Sequence, residues 1–270
     1  MLDYRIHTSL SDDSDTPYTQ QAEQAIRLGL KEICFTDHHD PDYTDPEFPF
    51  LLDFPKYHKM LEEAKERYYK DITIKKGMEL GIQSSCYDKC IESARNYPYD
   101  FIIGSFHMVS GVPVDFKEFY EGKTGLEVQE EYYKYMLECV KEFKDYSVLG
   151  HMNLVDRYQA LYMPGEKLNP PEVMEIIREI LKVVIYDGKG IEFNTSSYRY
   201  KTPVTLPTVE ILKMYRELGG EILTLGSDAH TPEYIGLQFK EAVDLLGTLG
   251  FRYVSSFTEM KPEFIKIEHL

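Results

Sequence analysis

Short runs of apolar and β-branched residues alternate along the chain with longer runs whose apolar positions recur at helical spacing. The short runs predict strands over residues 2–7, 32–36, 72–79, 101–107, 147–151, 190–194 and 221–227. Several of them (FIIG, EICF, EILTL) are apolar throughout, as parallel strands covered on both faces are. The longer runs predict helices over 19–30, 54–70, 126–143, 170–187, 207–218 and 233–249. The first places Ala22, Ala25, Ile26 and Leu30 on one face, and the second turns Leu61 and Ala64 inward. Pro171 and Pro207 stand near helix starts, where a missing N–H costs nothing. Gly219 and Gly220 follow a helix, where a left-handed cap belongs.

Seven strand units separated by helical runs predict a parallel α/β fold in one domain spanning residues 1–270. Two closures satisfy the pattern: a barrel of seven or eight strands, or an open doubly wound sheet. Neither the glycine fingerprint of a dinucleotide fold nor a phosphate-binding P-loop is present. Residues 251–257 predict an extra strand outside the repeat. Residues 37–53 (DHHDPDYTDPEFPFLLD) are acidic and proline-rich and predict an irregular loop near a site.

Composition narrows the choice of partner. The 270 residues carry 30 Lys and Arg against 46 Asp and Glu, a formal charge of −16. Nucleic acid and anionic membrane surfaces would be repelled. No segment approaches the length of a membrane span, and the first residues turn polar too early for a signal peptide. A cytoplasmic protein is expected, with Cys34, Cys86, Cys90 and Cys139 as reduced structural thiols.

The placement of the histidines carries the chemistry. His7 ends the first strand, and His38 and His39 follow the second. Glu79 ends the third, His107 the fourth and His151 the fifth; Asp228 and His230 follow the seventh. In a parallel barrel the C-terminal strand ends open onto one face, where sites are built. Imidazoles and carboxylates from so many strands form a ligand set for zinc, manganese or iron and imply a polynuclear site. Glu79 is placed to bridge two ions. Such ions draw an anionic substrate and bring the pKa of a bound water towards 7, so hydrolysis of a phosphate ester or amide is the natural chemistry. A serine nucleophile lacks its G-x-S-x-G turn.

These motifs resemble the polymerase and histidinol phosphatase (PHP) family, and within it the histidinol-phosphatase branch. The resemblance runs through Asp3-Tyr4-Arg5-Ile6-His7, Asp13, Thr36-Asp37-His38, Gly77-Met78-Glu79, Gly104 to His107, Gly150 to Asn153 and Ser227 to His230. It implies a distorted (β/α)7 barrel with a trinuclear metal centre. By the same resemblance one ion takes His7, Glu79 and Asp228. A second takes Glu79, His107 and His151, and a third takes Asp13, His38 and His230. His39, adjacent to His38, points elsewhere and stands outside this set.

The departure is Arg5, where the family has histidine. A guanidinium has no lone pair for a metal. In a strand, residues 5 and 7 share a face, so Arg5 points its charge at the first ion's position. Either two ions remain or the first binds weakly. The resemblance implies hydrolysis of L-histidinol phosphate in histidine biosynthesis, by a metal-bound hydroxide. Asp228 is the candidate for passing a proton to the leaving alkoxide, or else a ligand only. Arg157 and Arg199, on the loops after strands five and six, are candidates for gripping phosphate. The rivals are another PHP phosphoesterase, acting on phosphotyrosine or a nucleotide phosphate, and a metal-binding chain impaired by Arg5.

Overall fold

A computed structural model describes residues 1–200 and 205–270. In chain order its strands are β1 (Leu2–Ile6), β2 (Glu32–Phe35), the two-residue β3 (His38–His39), β4 (Thr73–Gly81) and β5 (Phe101–Ser105). There follow a short antiparallel pair, β6 (Met108–Val109) with β7 (Val112–Pro113), and then β8 (Val148–Leu149), β9 (Gly190–Asn194) and β10 (Leu223–Gly226). Strands β1, β2, β4, β5, β8, β9 and β10 lie side by side in that order, all parallel, and β3 pairs with the end of β4. The seam between β10 and β1 is drawn shut by a parallel bridge from Ile6 to Ala229, with the His7 N–H donating to the Ala229 carbonyl at 3.0 Å. The sheet is therefore a nearly closed seven-stranded barrel and not an open one.

The helices covering it are α1 (Tyr18–Arg27), α2 (Phe54–Tyr68), α3 (Tyr87–Arg95), α4 (Gly125–Glu142), α5 (Leu154–Tyr162), α6 (Pro171–Tyr186), α7 (Ser196–Tyr200), α8 (Val209–Glu217) and α9 (Phe239–Thr248). Their starts follow local chemistry. Thr124 and Glu127 form a reciprocal capping box at α4, Pro171 opens α6, and the Thr208 side chain accepts the Ile211 N–H at α8. Their inner faces follow the helical period: α6 buries Val173, Ile177, Ile180, Leu181 and Val184. Pro207 lies just before Thr208, and Gly219 turns left-handed after α8 at φ +89°.

Three helices depart from the sequence pattern. In α3 the buried positions are only Cys90, Ser93 and Ala94, too small and polar to mark a face. Helix α5 starts inside the segment read as a post-strand loop, and α7 has only five residues. The extra strand over 251–257 is β11 (Tyr253–Thr258), and it pairs with an unpredicted β12 (Lys261–Lys266) whose side chains are largely exposed.

This hairpin seats on the N-terminal ends of the barrel strands. The Leu223 N–H donates to Ser255 Oγ, the Phe257 N–H to Tyr4 Oη, and the Phe257 ring lies 5.0 Å from that of Phe101. The hairpin closes the bottom of the barrel and leaves the strands' C-terminal ends open. All four cysteines are buried and free.

Candidate metal centre

The barrel brings the strand-end residues together at its open end. His7 leaves β1, His38 sits on β3, Glu79 lies near the end of β4, His107 and His151 follow β5 and β8, and Asp228 and His230 follow β10. The pairing of β3 with β4 sets His38 opposite Glu79. Asp13 reaches in from the loop after β1, its Oδ2 2.8 Å from His230 Nε2 and 3.7 Å from His38 Nε2.

Among the described residues, two sets of donor atoms are compact enough to hold an ion. His7, Asp13, His38 and His230 each offer one atom with all separations within 4.8 Å, and so do His38, Glu79 and His107. The sets share His38. The imidazole rings of His7 and His38 stack at 4.6 Å, and those of His7 and His230 at 4.2 Å. Neutral imidazoles and carboxylates are the donors that divalent first-row ions take.

The ring environments suit ligation. Asp40 Oδ1 lies 2.7 Å from His107 Nδ1, so His107 Nε2 is turned towards Glu79 Oε1 at 3.0 Å. His230 Nδ1 donates to the Asp228 carbonyl at 2.9 Å, which frees Nε2 to face Asp13. A partner on one ring nitrogen that fixes the other is the usual support for a metal-bound histidine. Both ring nitrogens of His7 are buried without a hydrogen-bond partner, although Nε2 stands 3.2 Å from Asp228 Oδ1. A buried ring nitrogen without a partner is one that a bound ion could take up.

Charges inside the cluster are strongly coupled. Burial pushes His7 down to about 4, keeping it neutral. Burial opposes charge on His107 too, but the Asp40 and Glu79 carboxylates push its pKa up to about 10. His230 rises to about 9 against its burial, chiefly through Asp13. Glu79 and Asp228 are held well below the ordinary carboxylate range; burial opposes this, and the Arg5 guanidinium overcomes it.

Arg5 stands where the resemblance places the first ion. Its side chain is 1 % exposed. It pairs with the Glu79 carboxylate and places Nε 3.2 Å from Asp228 Oδ1, the same oxygen that faces His7. Its Nη2 lies 2.9 Å from His151 Nε2. The compact sets therefore differ from those carried over by resemblance. His7 joins Asp13, His38 and His230, and His151 faces the guanidinium and drops out of the set with Glu79 and His107. His39 lies apart, its Nδ1 accepting the Leu52 N–H at 3.2 Å and its Nε2 against Ser93 Oγ at 3.0 Å.

Above the centre is a pocket whose wall includes Tyr43, Phe50, Asp115, Arg157, Tyr158 and Tyr200. The acidic loop over residues 37–53 supplies the first two. Arg157, on α5, lies over the Tyr200 ring at 4.5 Å and donates to Ser196 Oγ at 2.7 Å. Arg199, on α7, opens onto a neighbouring hollow with Asp13 and His230, and donates to the Asp228 carbonyl at 3.2 Å.

Sequence reasoning missed Asp40, Asp115 and Glu192. Asp40 belongs to the DHHD run. Glu192 interrupts the apolar strand GIEFN, and a carboxylate there is itself a signal that a buried cation lies nearby. Asp115, half-buried on the pocket wall, left no sequence signal.

The PHP domain model matches residues 3–196. The histidinol-phosphatase of Lactococcus lactis is 32 % identical over 262 residues, covering 96 % of this chain and 95 % of that protein. A Clostridium acetobutylicum protein named "Probable histidinol-phosphatase" is 32 % identical over 248 residues, covering 91 % of this chain and 92 % of that one. The crystal structure of the Lactococcus lactis histidinol phosphate phosphatase, complexed with zinc, L-histidinol and phosphate, superposes with a TM-score of 0.85 at 30 % identity, covering 97 % and 98 % of the two chains. The chain belongs to the PHP family, in its histidinol-phosphatase branch.

Proposed function

We propose that this PHP phosphomonoesterase hydrolyses L-histidinol phosphate to L-histidinol and phosphate, as a step of histidine biosynthesis. The observation that carries the reading is a pocket, walled by Arg157, that opens directly on two donor sets sharing His38. The relative with zinc, L-histidinol and phosphate bound supports the same substrate.

His7, Asp13 and His230 would hold one divalent ion and Glu79 and His107 another, with His38 giving its single lone pair to one of the two, and zinc, manganese and iron are all suited to these donors. When bound, such ions polarise phosphoryl oxygens and acidify a water for attack on phosphorus. Arg157 and Arg199 grip the remaining phosphoryl oxygens through paired N–H groups. Asp228, on the pocket wall, is the candidate for passing a proton to the leaving alkoxide, or else serves only as a charged ligand. Asp115 presents a carboxylate on the pocket wall, touched at 3.4 Å by the Tyr43 hydroxyl, and suits the ammonium of the substrate.

Arg5 favours a second reading, a metal-binding chain with impaired turnover. One panel tests both. Zinc- or manganese-loaded protein is expected to release phosphate from L-histidinol phosphate faster than from phosphotyrosine or a nucleotide monophosphate. Metal uptake with no release from any ester would overturn the enzyme reading; a preference for another ester would overturn the substrate.

A further inference from the structure

The position that the resemblance reserves for a first ion, between His7, Glu79 and Asp228, does not fit a metal in this chain. The Arg5 guanidinium fills it. Nη2 pairs with Glu79, and Nε stands 3.2 Å from Asp228 Oδ1. Nη2 also takes the His151 Nε2 lone pair at 2.9 Å, which removes His151 from the neighbouring donor set. A divalent ion there would need the same volume and the same carboxylates, beside a cation that cannot give up its proton.

The guanidinium also has a counter-ion outside every ligand set. Glu192 on β9 is buried, and its Oε2 accepts Arg5 Nη1 at 3.0 Å. The same oxygen accepts the His151 N–H at 2.8 Å and Asn194 Nδ2 at 3.2 Å. Two glycines leave room for this pair. A side chain at Gly226 would strike the Glu192 carboxylate and the Arg5 side chain, and one at Gly150 would crowd Ser105 Oγ and Arg5 Nη1. The fork has five N–H groups, and carboxylates on three strands or strand ends meet it from different directions. The arrangement is a seated cation and not a side chain pushed into a vacant ligand position.

We propose that Arg5, seated on Glu192, is a permanent internal cation in place of one metal ion. The chain holds two ions and not three, and Glu79 and Asp228 are neutralised and fixed before any metal binds. The inference rests on reading this cluster as a metal centre, and does not depend on which phosphate ester is the substrate.

Zinc-saturated protein, freed of loose metal by gel filtration, is measured by elemental analysis beside Arg5→His and Arg5→Lys. Two zinc ions per chain are expected in the parent and in Arg5→Lys, which keeps the charge, and three in Arg5→His. Thermal unfolding with and without a chelator gives the second readout. Chelation should lower the parent's Tm, since two ions held by the folded state stabilise it, and should lower that of Arg5→His by several degrees more, because only the parent keeps an internal charge on Glu79 and Asp228. If Arg5→His does not fold, the parent and Arg5→Lys still decide the matter by their ion count. Three tightly held ions in the parent, or an equal loss of stability on chelation in the parent and Arg5→His, would overturn the proposal. Absence of bound zinc from parent and variants alike would overturn the metal-centre reading, and the proposal with it.

Discussion

Glu79 is buried and faces His7, His38, His107, His151 and Arg5 at once. No other carboxylate in the described residues meets so many of the strand-end groups, so its charge organises the whole centre. Glu79→Gln is expected to lose both turnover and bound metal. Arg5 would keep Glu192 and Asp228, so cooperative unfolding should remain. Retention of more than about a tenth of the activity, a barrier change under ~1.4 kcal/mol, would show that Glu79 is not a metal ligand. Asp115 makes a separate claim about the substrate. Asp115→Asn is expected to raise KM for L-histidinol phosphate roughly tenfold, ~1.4 kcal/mol, and to leave that for an uncharged aryl phosphate ester unchanged. An equal rise for both substrates would assign Asp115 to the pocket's structure. Legibility divides sharply at this scale. His, Asp and Glu at strand ends are visible because they break an apolar run at its last position. Asp40 and Asp115 lie in polar loops, where a carboxylate is no surprise and only the folded path gives it a neighbour.

The strands were readable because both of their faces are covered, which leaves nearly continuous apolar runs. Helices with a wide apolar stripe, such as α6, were readable for the same reason. Helices α3, α5 and α7 were not, since each is short and none buries a long apolar stripe: α3 and α7 bury small or polar groups, and α5 buries Leu154 and Val155 beside Asp156 and Gln159. Two of these carry the arginines. Helix α5 presents Arg157 to the pocket itself, whereas α7 directs Arg199 to the Asp228 carbonyl and the adjacent hollow. Arg157→Ala and Arg199→Ala are each expected to lower kcat/KM about tenfold to a hundredfold, ~1.5–3 kcal/mol for a charge-assisted contact. The larger loss should fall on Arg157, and metal content should not change in either. Steady-state kinetics beside elemental analysis checks this. Unchanged kcat/KM in both would move the phosphate clamp to other residues.

At the scale of the molecule, function and stability lie at opposite ends of the barrel. Closure through Ile6 and Ala229 turns a run of separate strand ends into one ring of donors, something that periodicity cannot distinguish from an open sheet. The other end is sealed by the β11–β12 hairpin, half of which is too polar to be read as a strand. There Tyr4 lies between Phe101, at 4.9 Å, and Phe257, at 6.3 Å, and its hydroxyl donates to the Glu32 carboxylate at 2.5 Å beside Ser256 Oγ at 3.0 Å. The neighbouring strand residue, Arg5, points into the metal centre. β1 thus carries a stabilising contact and a functional one on adjacent residues, with a rigid barrel between the two layers. Phe257→Ala removes a ring that is 2 % exposed. It should cost about 3–5 kcal/mol, read as a lower Tm in thermal unfolding. The kcat of the folded protein, with its zinc content, should stay at the parent value, because the donors hang from the far ends of the strands. A fall in kcat at temperatures well below the new Tm would show that the hairpin reaches the centre through β1, and that the two ends of the barrel are not insulated.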